Sequence, residues 1–307
     1  MGYKFLTIIV TFNGMKWIDH CIQSVQSSSI HSDIFVIDNG SSDNTPEHIV
    51  ENYPTVHLFR SKKNLGFGAA NNIGLQHAID NNYDYVYLLN QDAWVKENTF
   101  EKLISIQNKH PEYGILSPMQ VDADEHKMNK VFGNIVSSSF NDRSFLEDLY
   151  FKQTKTIYPA RRIMAAHWLI SKKCLLSVGG FSPSFIHYGE DDNYSDRTWK
   201  NGFKIGFCPQ IQAIHDTEHR IPERKRKSYL RYCQAISDIC GFQKSTKQSL
   251  YEFAYDIFLA FFGKDFDKKM LIKYFFKLIF NIPSHRKNKK ESQKKGAFLM
   301  IPATQKS

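Results

Sequence analysis

Tyr85-Val86-Tyr87-Leu88-Leu89-Asn90-Gln91-Asp92 is the stretch that decides the fold of this 307-residue chain. Its five apolar residues predict a buried β-strand, and the three polar residues that follow predict a loop at the carboxyl end of that strand. Taken alone, residues 90–92 also fit an ordinary turn. Their significance depends on whether other parts of the chain place similar loops at the same edge.

Three earlier segments repeat this pattern of an apolar strand followed by polar residues and a helical spacing. They are Phe5–Thr11 (FLTIIVT), Ile34–Ile37 and Val56–Arg60. Alternating strands and helices are typical of an α/β fold with a Rossmann-like, doubly wound, mostly parallel sheet, which binds ligands at the carboxyl ends of its strands. Four polar loops are predicted at that edge: Thr11–Asn13, Asp38–Asp43, Asn64–Phe67 and Asn90–Asp92.

The composition narrows the possible classes of protein. With 42% hydrophobic and 23% charged residues the chain is globular, and its length suits one large domain with a smaller appendage. Five cysteines without a CxxC pair argue against a disulfide framework or a zinc site and favour a reducing cytoplasm. The N-terminus lacks a signal-peptide pattern, and no run is apolar enough to span a bilayer.

The net charge of +9 is concentrated in two segments, Arg220–Lys227 and Lys287–Lys295. A phosphate-bearing ligand, an anionic membrane or a nucleic acid could each attract such a charge. We expect no nucleic-acid partner, because the basic residues form no base-reading motif.

Candidate ligand-binding groups lie in the predicted strand-end loops. Asp38 and Asp43 could accept hydrogen bonds from a nucleobase or ribose, although either carboxylate could instead cap the next turn. The segment from Asn64 to Gly74 is glycine-rich and enters a helix, whose free amides could bind a phosphate. In isolation this segment also fits an ordinary turn.

Candidate metal ligands and catalytic acids come from three further places. Asp92, with Asn90 two residues before it, supplies the oxygen ligands that Mg²⁺ and Mn²⁺ prefer. His215 could complete a metal shell, although a lone histidine is more often structural. The run Glu190-Asp191-Asp192 should raise the proton affinity of at least one carboxylate, as a general base requires. It could also be a charged first turn of a helix.

Together these motifs resemble the family 2 glycosyltransferases, in particular the bacterial rhamnosyltransferase-like branch, over residues 4–220. The resemblance implies a GT-A fold and an inverting, single-displacement reaction that depends on Mn²⁺ or Mg²⁺. The implied donor is a nucleotide-diphosphate sugar, with dTDP-rhamnose as one candidate. The implied acceptor is a saccharide or a lipid-linked saccharide in the synthesis of cell-surface polysaccharide.

The resemblance also implies roles for particular residues. Asp191 would be the catalytic base with Glu190 beside it, and Asp92 and His215 would bind the metal. The residues expected at the nucleotide sugar are Thr11, Asn13, Asp38, Asn39, Asp43, Asn64, Gly66, Phe67, Asn71, Asn90 and Arg197. Asn90 replaces the first Asp of the family's DxD motif, which predicts a looser metal site. Asn193 stands where the family usually has another acid, so the partner of Arg197 stays open between Asp192 and Asp196.

We predict a catalytic domain over residues 1–222, with a donor half of about 1–95 and an acceptor half of about 96–222. Residues 223–307 would form a basic helical extension with a frayed tail at Lys287–Lys295.

The extension has two interpretations. It could pack on the core, or form the interface of a homodimer. Alternatively, residues 249–295 could contact the inner face of the cytoplasmic membrane, with lysines meeting anionic lipid. The side chains expected to enter the membrane are Phe275, Phe276, Leu278, Ile279 and Phe280.

Two other functions compete with sugar transfer. A sugar nucleotidyltransferase would normally carry a glycine-rich loop with Arg or Lys directly after the first strand, where this chain has Thr11-Phe12-Asn13-Gly14. Alternatively, the chain could be a non-catalytic protein that binds a nucleotide sugar or acts as a scaffold. Asn90 is the only sequence feature that favours this hypothesis.

Overall fold

The computed structural model describes residues 3–137, 144–217, 223–241, 244–263, 265–302 and 305. Within these residues one mixed sheet is flanked by helices. Its strands are β1 (Phe5–Thr11), β2 (Asp33–Asp38), β3 (His57–Arg60), β4 (Tyr85–Asn90), β5 (Ala93–Val95), β6 (Tyr113–Val121), β7 (Tyr158–Pro159), β8 (His167–Ser171) and β9 (Lys204–His215). The helices are α1 (Ile18–Gln26), α2 (Thr45–Asn52), α3 (Phe67–Asp80), α4 (Thr99–Lys109), α5 (Lys130–Val136), α6 (Ser144–Tyr150), α7 (Lys172–Val178), α8 (Glu190–Lys200), α9 (Glu223–Cys240), α10 (Thr246–Phe262) and α11 (Lys268–Glu291).

The strand order is β3-β2-β1-β4-β8-β6-β9-β5, and β7 pairs with β9. The first four strands of this order are parallel, which confirms the predicted α/β class and places their carboxyl ends at one edge. The register sets Thr11 beside Asp38 and Val10 beside Asn90. Beyond β4 the sheet is mixed, because β8 runs antiparallel to both β4 and β6.

The central strands are buried on both faces, as expected for a sheet covered by helices on each side. Ile8 and Leu88 belong to the core on the side of α3, whereas Ile9 and Leu89 belong to the core on the side of α1 and α4. Helix α3 approaches β1 most closely at Gly74, where an added Cβ would lie 2.7 Å from Ile8 Cγ2. This contact sets the position of the glycine-rich loop at the start of α3.

All five cysteines are free and buried in the structure. Among the residues described here, no helix combines the length and the apolar character needed to cross a bilayer.

Helices α9, α10 and α11 share a separate core built around Phe253, Leu271 and Leu278. Phe185, from the loop that precedes α8, also joins this core. The structure therefore corrects part of the membrane hypothesis, because Leu278 is fully buried and Phe275 stacks on Phe253. The predicted end of the catalytic domain at residue 222 lies outside the described residues, so the division into domains stays a prediction.

The segment expected to be frayed is ordered as far as the structure describes it. Helix α11 continues through it to Glu291, and Asn288 Nδ2 donates a hydrogen bond to Ser184 Oγ at 3.0 Å. The chain then returns to the catalytic part, where Gly180 N donates to Ala297 O at 2.8 Å. Order is compatible with the high charge because Lys287 and Lys290 stay exposed on one side of the helix.

We predict that Gly74→Ala lowers the free energy of unfolding by about 1–3 kcal/mol, because its Cβ would overlap the buried, β-branched Ile8. Gly133→Ala is the matched control, since Gly133 also lies inside a helix and meets only the flexible side chain of Met128, at 3.3 Å. There the higher helix propensity of Ala should leave stability unchanged or raise it by about 0.5 kcal/mol. Urea unfolding measures both variants, and effects of the same sign would contradict this packing argument.

Candidate active site

A cavity of about 460 Å³ lies at the carboxyl ends of β1, β2 and β4. Six of the predicted site residues line it: Asn39, Asn64, Gly66, Phe67, Asn90 and Asp92. The sequence argument did not assign roles to the other lining residues, which are Val10, Phe12, Gln91, Ile186 and His187. The four predicted loops do therefore meet at one edge of the sheet.

Gln91 joins the end of β4 to the end of β1. Its Oε1 accepts hydrogen bonds from Thr11 Oγ1 at 2.7 Å and from Phe12 N at 2.8 Å. Thr11 is fully buried, so in this structure its hydroxyl supports the cavity wall and does not face the cavity.

The turn from Asp38 to Thr45 is organised by polar side chains of the turn itself and by Asn13, which follows β1. Asn13, in a left-handed conformation, accepts a hydrogen bond from Ser42 N at 2.8 Å through Oδ1. Asp38 is buried and accepts from Ser41 N at 3.3 Å. Asp43 Oδ1 accepts from Thr45 N and Oγ1, which is the turn-capping alternative considered for this residue. These groups shape the rim of the site, and their contact with a nucleotide stays a prediction.

The glycine-rich loop is tied to the loop that precedes α8. Asn39 Nδ2 donates to Asn64 Oδ1 at 3.2 Å, and the same oxygen accepts from Gly66 N at 2.9 Å. Phe67 N donates to Ile186 O at 3.1 Å. Gly66 has φ +86°, and an added Cβ would lie 2.2 Å from Ile186 O, so no larger residue fits there.

Like Thr11, Asn13, Asp38 and Asp43, the predicted donor-binding residues Asn71 and Arg197 do not line the cavity. Asn71 is buried and donates to Phe67 O within α3. Arg197 is 1% exposed, and its guanidinium donates to Val178 O, Gly180 O and Asn193 Oδ1. Its guanidinium thus binds two backbone carbonyls and a carboxamide, and the expected contact of Arg197 with the nucleotide sugar stays a prediction. Asn193 lies one turn before Arg197 on α8, and its Oδ1 accepts a hydrogen bond from Arg197 Nε, so this contact needs no carboxylate.

Asp92 and His215 are far apart in the sequence but adjacent in space. Strands β5 and β9 pair with Ala93 opposite His215, and Asp216 N donates to Asp92 O at 2.8 Å. Asp92 Oδ1 and His215 Nε2 consequently lie 3.5 Å apart. The predicted metal pair is thus brought together by strand pairing.

The chemistry of this pair suits a divalent cation. Asn90 Oδ1 is buried near the cavity and lacks a hydrogen-bond partner among the described residues. Carboxylate, amide oxygen and imidazole are ligands that Mn²⁺ accepts, and Mg²⁺ favours the oxygens. In the part of the chain that the structure describes, no three His, Cys, Asp or Glu residues assemble as a complete metal site. Substrate oxygens or water would have to supply the remaining ligands.

The three adjacent carboxylates begin helix α8, immediately after two residues in the left-handed region. Tyr188 has φ 67° and Gly189 has φ 91°, and such a conformation in a bulky residue is a common feature of functional loops. Burial, reinforced by the charges of Asp192 and Glu190, raises the pKa of Asp191 well above its usual range. Burial likewise raises the pKa of Glu190 to about 7.

Asp192 and Asp196 are held by a residue that sequence reasoning missed. Arg162 Nη1 lies 3.2 Å from Asp192 Oδ2, and Arg162 Nη2 lies 3.0 Å from Asp196 Oδ2. The charges of these carboxylates raise the pKa of Arg162 against the effect of its burial. No sequence signal marked Arg162 or Ile186, whereas Gln91 stands inside the stretch Tyr85–Asp92 and His187 lies three residues before Glu190.

The fold resembles that of a solved mannosyltransferase, PcManGT from Pyrobaculum calidifontis, determined in complex with GDP-Man and Mn²⁺. The TM-score is 0.56 at 15% identity, and the likeness covers 95% of this chain and 74% of that one. This similarity shows a GT-A fold.

The sequence model described as glycosyl transferase family 2 matches residues 7–165, just over half of the chain. The chain therefore belongs to glycosyl transferase family 2 and is a glycosyltransferase.

Two relatives illustrate the similarity. An N-acetylglucosaminyl-diphospho-decaprenol L-rhamnosyltransferase of Mycobacterium tuberculosis is 28% identical over 213 residues, which cover 61% of this chain and 67% of that protein. A UDP-Gal:alpha-D-GlcNAc-diphosphoundecaprenol beta-1,3-galactosyltransferase of Escherichia coli is 23% identical over 242 residues, which cover 77% and 80%.

We predict that Glu190→Gln stabilises the protein at alkaline pH. Because the pKa of Glu190 in the fold is raised from 4.5 to about 7, the folded state holds its proton longer than the unfolded state. Wild-type stability should therefore fall as the pH rises from 4.5 to 7, and the variant should remove that loss, about 1–3 kcal/mol at pH 8.

Urea unfolding at several pH values measures this difference. Glu51→Gln, at an exposed position of α2, is the matched control and should not change the pH dependence. Parallel pH profiles for wild type and Glu190→Gln would contradict the raised pKa.

Proposed function

We propose that this glycosyltransferase is inverting and depends on a divalent cation, Mn²⁺ or Mg²⁺. It moves a sugar from a nucleotide-diphosphate sugar to a lipid-linked saccharide in cell-surface polysaccharide synthesis, and dTDP-rhamnose is the first donor to test. The convergence of Asp92 Oδ1 and His215 Nε2 at 3.5 Å beside the cavity is the observation that carries this proposal.

Asp92 and His215 would hold the cation, with Asn90 Oδ1 available beside them. Bound there, the cation would neutralise charge that develops on the departing diphosphate. Asn90 contributes no negative charge, so we expect a weaker metal site than two aspartates would form. The Mn²⁺ in the Pyrobaculum calidifontis structure supports the choice of metal.

Asp191 would act as the base. It accepts the proton of the acceptor hydroxyl while the hydroxyl oxygen forms a bond to the anomeric carbon. The bond from that carbon to the donor phosphate oxygen breaks, and the electron pair leaves with the nucleoside diphosphate. A single displacement of this kind inverts the anomeric configuration. The raised pKa of Asp191 makes its carboxylate a stronger proton acceptor once it is ionised.

The names of the relatives support a lipid-linked acceptor. The Mycobacterium tuberculosis and Escherichia coli proteins act on saccharides attached through a diphosphate to decaprenol or undecaprenol. We propose the same chemical class of acceptor for this chain. Such a substrate sits in a membrane, so we place the enzyme at the cytoplasmic face of the membrane. Its free, buried cysteines are compatible with that reducing compartment.

We predict that Asp191→Asn lowers kcat for sugar transfer about a hundredfold or more, because Asn cannot accept the acceptor proton. Donor affinity, measured by thermal shift with the nucleotide sugar and Mn²⁺, should stay within about threefold of wild type. Asp192→Asn is the control, since Asp192 pairs with Arg162 and should lose much less activity. Equal release of nucleoside diphosphate by wild type and Asp191→Asn would refute the base assignment, whereas no release by either protein with any donor would favour the scaffold hypothesis.

We predict that Asp92→Asn weakens Mn²⁺ binding about tenfold or more, because it removes the only charged ligand of the proposed pair. Isothermal titration of Mn²⁺ in the presence of nucleoside diphosphate measures this effect without requiring turnover. Asp216→Asn is the control: Asp216 follows His215 but is occupied by Trp17 Nε1 at 2.9 Å. Unchanged affinity in Asp92→Asn would exclude this aspartate as a ligand.

A further inference from the structure

Helices α10 and α11 each expose large side chains opposite their buried residues, with aromatic rings on α10 and with aromatic rings and lysines on α11. On α10 the rings lie four, three and four residues apart, at Tyr251, Tyr255, Phe258 and Phe262, opposite the buried Phe253 and Ala260. On α11 the exposed side chains are Lys269, Lys273, Phe276 and Phe280, opposite the buried Leu271 and Leu278. These eight residues are called the aromatic-basic surface below.

Helical spacing explains why one side of each helix is apolar and yet exposed. Residues three or four apart share a face, so the buried set and the exposed aromatic set occupy opposite sides. Phe262 and Phe280 are 79% and 86% exposed, which is unusual for such large apolar side chains. Contiguous exposed apolar surface generally marks a site of contact with a protein or a membrane.

The acids of α10 and of the turn that follows it are paired with basic side chains. The two acids of α10 are neutralised, because Glu252 pairs with Lys244 at 2.7 Å and Asp256 pairs with Arg231. Lys269 and Lys273 project from the outward face of α11. A partner of this surface should therefore offer negative charge next to an apolar layer.

Short contacts connect this surface to the active-site cavity through α9. Lys227 Nζ lies 3.7 Å from Asp265 Oδ1, in the turn that follows Phe262. Ser228 Oγ accepts a hydrogen bond from Asp267 N at 2.9 Å. One residue further on, Tyr229 Oη donates to His187 O at 3.0 Å, and His187 lines the cavity. The turn after α10 and the cavity wall therefore both contact the N-terminal end of α9.

We propose that the aromatic-basic surface docks the protein on an anionic lipid bilayer. Aromatic side chains enter the boundary between headgroups and acyl chains, and lysines meet the negative headgroups. A second copy of the chain is a poorer partner, because a symmetric pair would bring its own lysines together. Docking at this surface would bring the bilayer near the N-terminal end of α9, where Tyr229 contacts the cavity wall.

Vesicle flotation tests the proposal with the full chain. Wild type should float with vesicles that contain phosphatidylglycerol mixed with phosphatidylcholine, and much less with phosphatidylcholine alone. The variant Phe258→Ser/Phe262→Ser/Phe276→Ser should bind the anionic vesicles at least about tenfold more weakly. Tyr150→Ser/Phe151→Ser is the matched control: these rings are 80% and 64% exposed at the end of α6, and their loss should leave binding unchanged.

A second pair of variants tests the charges separately. Lys269→Glu/Lys273→Glu should weaken binding to anionic vesicles about tenfold or more. On vesicles of phosphatidylcholine alone, this variant should bind as weakly as wild type does. Lys102→Glu/Lys109→Glu makes the same change of charge on exposed positions of α4 and should have a much smaller effect. Equal losses in the two pairs would mean that net charge alone drives binding, which overturns the surface assignment.

The experiment is independent of the proposed function, because vesicle binding requires neither donor nor acceptor. Thermal shift with donor and Mn²⁺ should be unchanged in every surface variant, which also shows that the variants are folded. Failure of wild type to float would overturn the docking proposal and leave sugar transfer untouched. A wild-type dimer in light scattering that the phenylalanine variant converts to monomer would assign the surface to a second copy instead.

Discussion

The pairing of the short strand β5 with the end of β9 is the interaction on which the proposed active site depends. It places Ala93 opposite His215 and thereby brings Asp92 Oδ1 within 3.5 Å of His215 Nε2. Two ligands on paired strands cannot drift apart easily, because main-chain hydrogen bonds maintain their register. This rigidity could offset the charge that is missing at Asn90, since a preorganised site binds a cation at lower entropic cost.

The carboxylates at the start of α8 illustrate a different constraint. Burial of Glu190 and Asp191 raises both pKa values, which disfavours the ionised forms in the folded protein. Arg162 offsets part of the repulsion by pairing with Asp192 and Asp196, and its single positive charge compensates one of the cluster's negative charges. The consequence is a carboxylate with high proton affinity at neutral pH, which is useful for a base but unfavourable for stability.

The loop from Ser184 to Gly189 links the two ends of the molecule. On one side Ile186 O accepts from Phe67 N of the glycine-rich loop, and on the other side Asn288 and Tyr229 of the C-terminal helices donate to Ser184 and His187. The C-terminal helices therefore help to position the segment that leads into the proposed catalytic acids. A surface that docks these helices on a bilayer would fix the orientation of the cavity relative to the membrane at the same time.

The sequence by itself determined the α/β class, the four polar loops at one sheet edge and the family, because strand periodicity and strand-end motifs are local properties of the chain. Tertiary structure decided the rest. Arg197 binds the carbonyl oxygens of Val178 and Gly180, Arg162 pairs with Asp192, and Phe275 faces the core while Phe258 and Phe262 face outward. The physical reason is that the partner of a side chain depends on strand register and helix packing between distant segments, which local spacing does not encode.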